Sequence, residues 1–181
     1  LLIGETLGVP FVECSDILFC DNALAVQVPY ATETSPIASH TIATAQSAGW
    51  IWDIGLPTRR GVGYVFSSRH ISVDDAEREL REYLGPAGKD LPVRRIPIRS
   101  GHRQIFWKRN CVAVGLSAGF LEPLEASAIV LIEMSAKLIA EQMPVCREVM
   151  DVIAARFNNT TEYRWGRIID FLKLHYALTK R

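Results

Sequence analysis

An α+β fold, sheet-rich in its first part and helical afterwards, is what the order of patterns along this chain predicts. Two observations carry it. As far as about residue 71, segments of β-branched, aromatic and alternating residues are bounded by Asp, Asn, Gly and Pro, which is the signature of strands. From Ser127 onward apolar residues recur at intervals of three and four, which is the period of helices. Neither a repeat nor a low-complexity tract interrupts the pattern. Such an order suits an α+β body or part of a larger mixed fold.

Each element follows from local chemistry. Asp21-Asn22 is a turn dipeptide, and residues 22–29 after it read as a strand. Polar residues 32–36 make a loop. Residues 41–54 mix β-branched, small and aromatic side chains and read as one long strand ending near Gly55-Leu56-Pro57. A turn at 60–63 and a returning strand at 64–67 complete a hairpin. A helix then begins with Ser72 or Asp74 as cap, Asp75 and Glu77 in its positive first turn, and Gly85-Pro86 at its end. Residues 93–98 and 104–107 read as two strands joined at Ser100-Gly101. A helix over 127–142 shows Ile129, Ile132, Glu133, Ala136 and Ala140 in register. Pro144 suits the first turn of a further helix to about Phe157. Asn158-Asn159 breaks it, and Thr160 or Thr161 opens a last helix through His175.

Composition excludes several functions. With 49% apolar and 22% charged residues in 181, the chain has globular character. Twenty basic residues balance twenty acidic ones, so no global field draws nucleic acid or an anionic membrane. Arg59-Arg60 and Arg94-Arg95 read as solvated surface. Cys14, Cys20, Cys111 and Cys146 lack metal-ligand spacing and read as free thiols of a reducing compartment, so no metal is expected and a cytoplasmic location is. No apolar run approaches the ~20 residues that span a bilayer. Leu1 in place of an initiator, and a helical pattern still running at Arg181, suggest an internal piece of a longer protein.

Two segments could carry chemistry. In Asn110-Cys-Val-Ala-Val-Gly-Leu-Ser-Ala-Gly-Phe-Leu-Glu-Pro-Leu-Glu-Ala-Ser-Ala-Ile129 an apolar strand runs into a small-residue loop, 115–119, and then into a helix starting near Glu125 or Ser127. Glycine and alanine let a flat ring or an anion approach the backbone, and free N–H groups at a helix start attract negative charge. A tight structural turn explains the pattern equally well. Glu122 and Glu125 flank Pro123 at that entrance, where the helix dipole stabilises a carboxylate by about 0.3–1 kcal/mol. On spacing alone a structural role leads for both. In Gly49-Trp-Ile-Trp-Asp-Ile-Gly55, alternation puts Trp50, Trp52 and Ile54 on one face and Ile51 and Asp53 on the other. Core packing is the commoner use of such a pair. His40, His70, His102 and His175 are scattered and read as structural or surface residues. Ser67, Ser68 and Ser117 lack a nucleophile-elbow context, and no GxGxxG occurs.

These two segments, in this order and about sixty residues apart, resemble the flavin-dependent tryptophan halogenase family. Gly49-Trp-x-Trp-x-Ile followed by Arg59-x-Gly-x-Gly-Tyr-Val-Phe-Ser-Ser looks like the family's W-x-W-x-I-P segment and the strand after it. The stretch from Phe106 to Ser127 is similar to its E-P-L-E-[SA]-[TS] stretch, and residues 16–29 and 171–179 also look familial. The resemblance implies part of a larger FAD-dependent monooxygenase-like fold, with residues 1–181 as a partial halogenase domain. By the resemblance, Glu125 is the active-site glutamate beside a catalytic lysine and the substrate. Ser127 and Ala128 would hold the halide through backbone N–H groups, Leu116 and Ile129 would contact the flavin, and Trp50 and Trp52 would keep substrate from the flavin. The implied reaction uses reduced FAD from a separate flavin reductase, dioxygen and a halide ion. A flavin hydroperoxide and then hypohalous acid would chlorinate or brominate a small aromatic substrate such as tryptophan or an indole, in antibiotic biosynthesis. A homodimer is compatible with it.

The chain departs from the family pattern in places. Gly55 replaces the motif proline, which would loosen the strand end, and Ala126 stands where some members have serine. The GxGxxG region, the catalytic lysine and the C-terminal substrate-sandwiching aromatics are expected outside this sequence, since Lys108 does not match that lysine. The competing readings are a hydroxylating flavin monooxygenase and an inactive structural module.

Overall fold

In the computed structural model, which describes residues 2–179, the strands in chain order are β1 (Phe11–Glu13), β2 (Asn22–Pro29), β3 (Ile42–Gln46), β4 (Gly49–Gly55), β5 (Arg59–Phe66), β6 (Arg94–Pro97), β7 (Gly101–Arg103), β8 (Trp107–Lys108), β9 (Cys111–Val112) and β10 (Gly119–Phe120). The helices are α1 (Val73–Leu84), α2 (Ser127–Glu141) and α3 (Met150–Ala177). The chain divides into two compact units, one of residues 19–98 and one made of the segment ending at Leu18 with the segment from Arg99 onward. The expected α+β composition holds. The expected order holds as well, with the strands ending at Phe120, α2 and α3 following them, and α1 set among the strands.

The 19–98 unit is a five-stranded antiparallel sheet, β3-β4-β5-β2-β6, with α1 on one face. Alternation in β2 turns Leu24, Val26 and Val28 inward, where they meet Ile51, Val62, Tyr64 and Phe66 and the Ala76, Leu80 and Leu84 stripe of α1. Ser72 caps α1 by accepting from Asp75 N at 3.1 Å, and Gly85, at φ 64, ends it by donating to Arg81 and Glu82 carbonyls. Burial and the Glu79 carboxylate that accepts its hydroxyl push Tyr64 up to about 12.

Residues 41–54 are not one strand. Ser47 and Ala48 turn the chain between β3 and β4, and Gly49 then packs so closely that a Cβ would lie 1.9 Å from Val65 O. The expected turn at 60–63 is also misplaced. It lies at residues 56–58, closed by Leu56 N donating to Arg59 O at 2.9 Å, and β5 runs straight through Gly61 and Gly63. Gly63 pairs with Trp52 across the sheet, and a Cβ there would stand 2.1 Å from the indole Cζ2. The glycine makes room for a ring; it does not bend the chain.

In the other unit, β1, β7 and β10 form a small antiparallel sheet and β8 pairs with β9. The strand expected at 104–107 is instead split between β7 and β8, and Gly101, expected in a turn, pairs on both sides. Around them lie α2 and α3, with a core that includes Phe106, Trp107, Leu121, Leu131, Phe157, Trp165, Ile169 and Leu172. The stripe that marks α2 in the sequence faces outward: Ile129 is 60% and Ile132 41% exposed, while Ser127, Leu131, Ser135 and Leu138 are buried. Both faces of this helix carry apolar residues at the same period, so periodicity could not choose between them.

The break expected at Asn158-Asn159 does not occur. Pro144 precedes a non-helical stretch, α3 begins at Met150 after a helical turn at Arg147–Val149, and it then runs for 28 residues. Asparagine weakens helices when its amide competes with local backbone. Here the amide is spent elsewhere: Asn158 Oδ1 accepts from Phe106 N at 2.8 Å and Trp107 N at 2.7 Å, and Nδ2 donates to Trp107 O at 2.9 Å. None of the described helices is long and apolar enough to cross a membrane.

Removing that amide leaves two backbone donors and a carbonyl without their partner. Asn158→Ala is expected to lower the unfolding free energy by roughly 2–4 kcal/mol, and Asn158→Asp, which keeps the acceptor, by less. Urea unfolding of the protein carrying this chain measures both.

Candidate functional site

The site is built on the path from β9 to α2. After β9 the chain is extended at Val114 and turns at Gly115, whose φ of 61 favours glycine. Ser117 locks the turn, its Oγ donating to Val114 O at 2.8 Å and accepting from Val114 N at 3.0 Å. The loop expected to continue through Gly119 stops there, because β10 pairs back onto β7. A Cβ at Gly119 would stand 2.4 Å from Gly101 O and 2.7 Å from the Trp165 ring. Leu121 and Glu122 follow, each 1% exposed. Glu122 is therefore no solvated helix-entrance charge, contrary to the reading from spacing.

Next come two of the three positive-φ residues other than glycine among the described residues. Glu125 (φ 59, ψ 22) and Ala126 (φ 52, ψ 24) are both left-handed, although neither is glycine. That conformation costs an L-residue roughly 1–2 kcal/mol. Consecutive left-handed residues reverse the chain abruptly, and α2 begins at once with Ser127. Its N-cap, Ala126, has no side chain with which to cap. The hydroxyl of Ser127 points backward, donating to Leu124 O at 3.1 Å, and caps nothing in the helix. The first turn of α2 thus keeps its positive end without a side-chain cap, which is an anion-attracting arrangement.

Leu116 and Ile129, the positions to which the resemblance assigns flavin contacts, present apolar side chains that are 76% and 60% exposed. Beside them a cavity of about 90 Å³ is lined by Gly115, Leu116, Ala128, Ile132, Ser135 and Trp165, among others. Glu125 points its carboxylate outward, 56% exposed, with Oε1 3.9 Å from His175 Nε2. His175 Nδ1 lies 2.9 Å from Phe171 O, and a carbonyl only accepts, so Nδ1 carries a proton. A neutral ring then shows a bare Nε2 to Glu125, and a charged ring makes an ion pair.

One turn of α3 therefore delivers two partners, since Tyr176 Oη donates to Glu122 Oε2 at 2.7 Å. By its spacing alone His175 is a structural or surface residue, and Tyr176 carries no motif. A signal for Tyr176 existed in the helical phase: it lies 18 residues after Asn158, about five full turns, on the same face.

Trp50 and Trp52 belong to the 19–98 unit and stack edge to face, with centroids 6.2 Å apart. They occupy the face opposite Ile51, as alternation required, and among the described residues Trp50 Nε1 has no hydrogen-bond partner. Behind them Asp53 accepts from Tyr83 Oη at 3.2 Å. Gly55 closes β4. A Cβ there would meet Ile37 Cγ2 at 2.8 Å and Ala38 O at 3.0 Å, so the residue is small because the 37–38 segment packs on it. Lys108 donates to Leu7 O at 2.7 Å. No group of three His, Cys, Asp or Glu that could hold a metal gathers among the described residues.

The edge-to-face indoles lie together on β4, and the left-handed turn feeds directly into α2. The family model for tryptophan halogenase matches residues 1–181, and the chain belongs to that family. It is 40% identical over 176 residues to the 7-chloro-L-tryptophan 6-halogenase KtzR of Kutzneria sp. (strain 744), covering 97% of this chain and 34% of that protein. Among solved structures it superposes on the tryptophan halogenase of Shewanella frigidimarina NCIMB 400 with a TM-score of 0.95 at 54% identity, covering all of this chain and 35% of that one. It superposes on BrvH, a flavin-dependent halogenase from Brevundimonas sp. BAL3, with a TM-score of 0.91 at 44% identity, over 36% of that chain. The chain thus spans about a third of the length of its relatives and is a fragment of their larger fold.

The left-handed pair makes a sign-reversed prediction. Glycine usually costs about 0.5–1 kcal/mol relative to alanine in a helix. At Ala126 the relief of strain offsets this, so Ala126→Gly is expected to match or exceed the parental unfolding free energy. Ala126→Val, β-branched, is expected to lose at least about 1 kcal/mol. Thermal and urea unfolding of the two variants give the signs.

Proposed function

We propose that this chain is the halide-side part of a flavin-dependent halogenase that chlorinates or brominates an electron-rich aromatic substrate such as tryptophan or an indole. The observation that carries the reading is the start of α2, where two left-handed residues lead into a helix whose N-cap offers no side-chain acceptor, an arrangement that attracts an anion. In this reading Ser127 and Ala128 hold a chloride or bromide through backbone N–H groups. Halide suits such a place because it needs donors and no acceptor, and the helix end supplies donors alone.

Reduced FAD, delivered by a separate flavin reductase, would supply with dioxygen the oxidising power that turns halide into an electrophile. The residues present fit it: Leu116 and Ile129 offer exposed apolar faces to a flat ring, and the backbone at Gly115 carries no side chain to obstruct it. Glu125, two residues before the halide position, keeps an outward carboxylate that can hydrogen-bond a lysine or the polarised substrate. Trp50 and Trp52 pack edge to face as a rigid aromatic pair, and by the resemblance they would keep substrate from the flavin. Residues 1–181 form a partial domain, and the nucleotide-binding GxGxxG region, the catalytic lysine and the remaining substrate contacts lie in the other two thirds of the enzyme. The coverage of relatives, 34–36%, supports that division. The resemblance supports a cytoplasmic biosynthetic enzyme, with a homodimer left open.

The test uses the full-length protein with FAD, a reductase, air and tryptophan. Product carrying bromine or chlorine is expected, and none forms when halide is omitted; a hydroxylated product formed without halide would mean a monooxygenase. Glu125→Gln is expected to lower kcat at least about a hundredfold with flavin binding intact. Residues 1–181 purified alone are expected to retain no flavin.

A further inference from the structure

The proposed site depends on backbone aim, so what holds the backbone is part of its chemistry. Glu122 has 1% of its surface exposed, a costly place for a carboxyl group unless it is hydrogen-bonded. Its partner is Tyr176 Oη at 2.7 Å, contributed by the last turn of α3 from 54 residues away. Three residues after Glu122 the left-handed pair begins. A strained conformation persists only where its surroundings over-determine it. On the downstream side α2 is anchored by Leu131, Ser135 and Leu138 in the core. On the upstream side Leu121 and Glu122 are anchored, and Pro123, at φ −75, leaves little freedom between the anchors.

We propose that Tyr176 and Glu122 form a clamp that holds Glu125 and Ala126 left-handed, making both clamp members positioning residues for the halide site. The inference rests on the reading under Proposed function for its chemistry, and on the geometry alone for its structure. An apolar pair would fill the same space without desolvating a carboxyl group. The polar pair adds a fixed distance and direction at the point where the chain must reverse. His175, in the same turn, faces Glu125 at 3.9 Å, so a shift of the α3 end moves both carboxylates' partners together. Misplacing an aligned group by about 1 Å is enough to cost up to about a hundredfold in rate.

The test uses the full-length protein carrying this chain. Tyr176→Phe and Glu122→Met each remove the bond, whereas Glu122→Gln keeps a carbonyl oxygen for the tyrosine hydroxyl. Crystal structures of the variants report the backbone at 125–126, and kinetics with bromide varied report KM and kcat. The clamp predicts that both bond-removing variants lose the left-handed pair, with kcat down about tenfold or more, KM for bromide raised and FAD affinity parental. Glu122→Gln is expected to keep the backbone and most of kcat, and so to rescue the site without the charge. A left-handed pair retained in Tyr176→Phe or Glu122→Met with parental kcat overturns the proposal, even if the melting temperature falls. Loss of the pair in Glu122→Gln overturns it too. If the parental protein does not halogenate, the functional reading fails, and the backbone comparison alone decides the clamp.

Discussion

Continuity of α3 is the constraint on which the site-bearing unit depends. Asn158, near one end, replaces three backbone hydrogen-bond partners that β8 and the residue before it would otherwise lack. Tyr176, near the other, meets Glu122. About five turns, or roughly 27 Å, separate them on one face, and only an unbroken helix keeps that phase. Between them Trp165 stacks on Phe106 and tilts against His102, while Phe157 meets Trp107 edge to face. A kink anywhere between would rotate one anchor off its partner.

That unbroken helix explains how a strained turn can survive. Two left-handed residues cost roughly 2–4 kcal/mol together. The core around α2 and α3 buries sixteen hydrophobic residues, and a single buried Leu or Phe contributes about 1.5–3 kcal/mol, so the strain is a small fraction of what opposes it. The arrangement puts dense packing behind the turn and leaves the side facing the proposed flavin open, with Leu116 and Ile129 exposed. Strain, an uncapped helix end and two apolar faces meet within fifteen residues. That is the physical basis of the halide-site reading.

Much of this was legible in the sequence where the signal was local. Ser72 as cap, Gly85 as terminator and the ends of β2 and α2 follow from turn chemistry and period. What stayed hidden depended on partners distant in sequence. Gly63 resembles a turn residue until Trp52 is seen across the sheet, and Asn158 resembles a helix breaker until its amide is seen on β8. The outward stripe of α2 resembles the inward one because both are apolar. Glu122 and Glu125 look alike at three-residue spacing. Yet Glu122 is buried against Tyr176, whereas Glu125, itself left-handed, points its carboxylate outward.

The central claim is that the first N–H groups of α2 bind halide beside Glu125. Crystals of the full-length protein soaked in bromide test it by anomalous scattering. The account predicts a bromide peak within hydrogen-bonding reach of Ser127 N and Ala128 N. An ordered bromide bound at another site, with none at the start of α2, would contradict it.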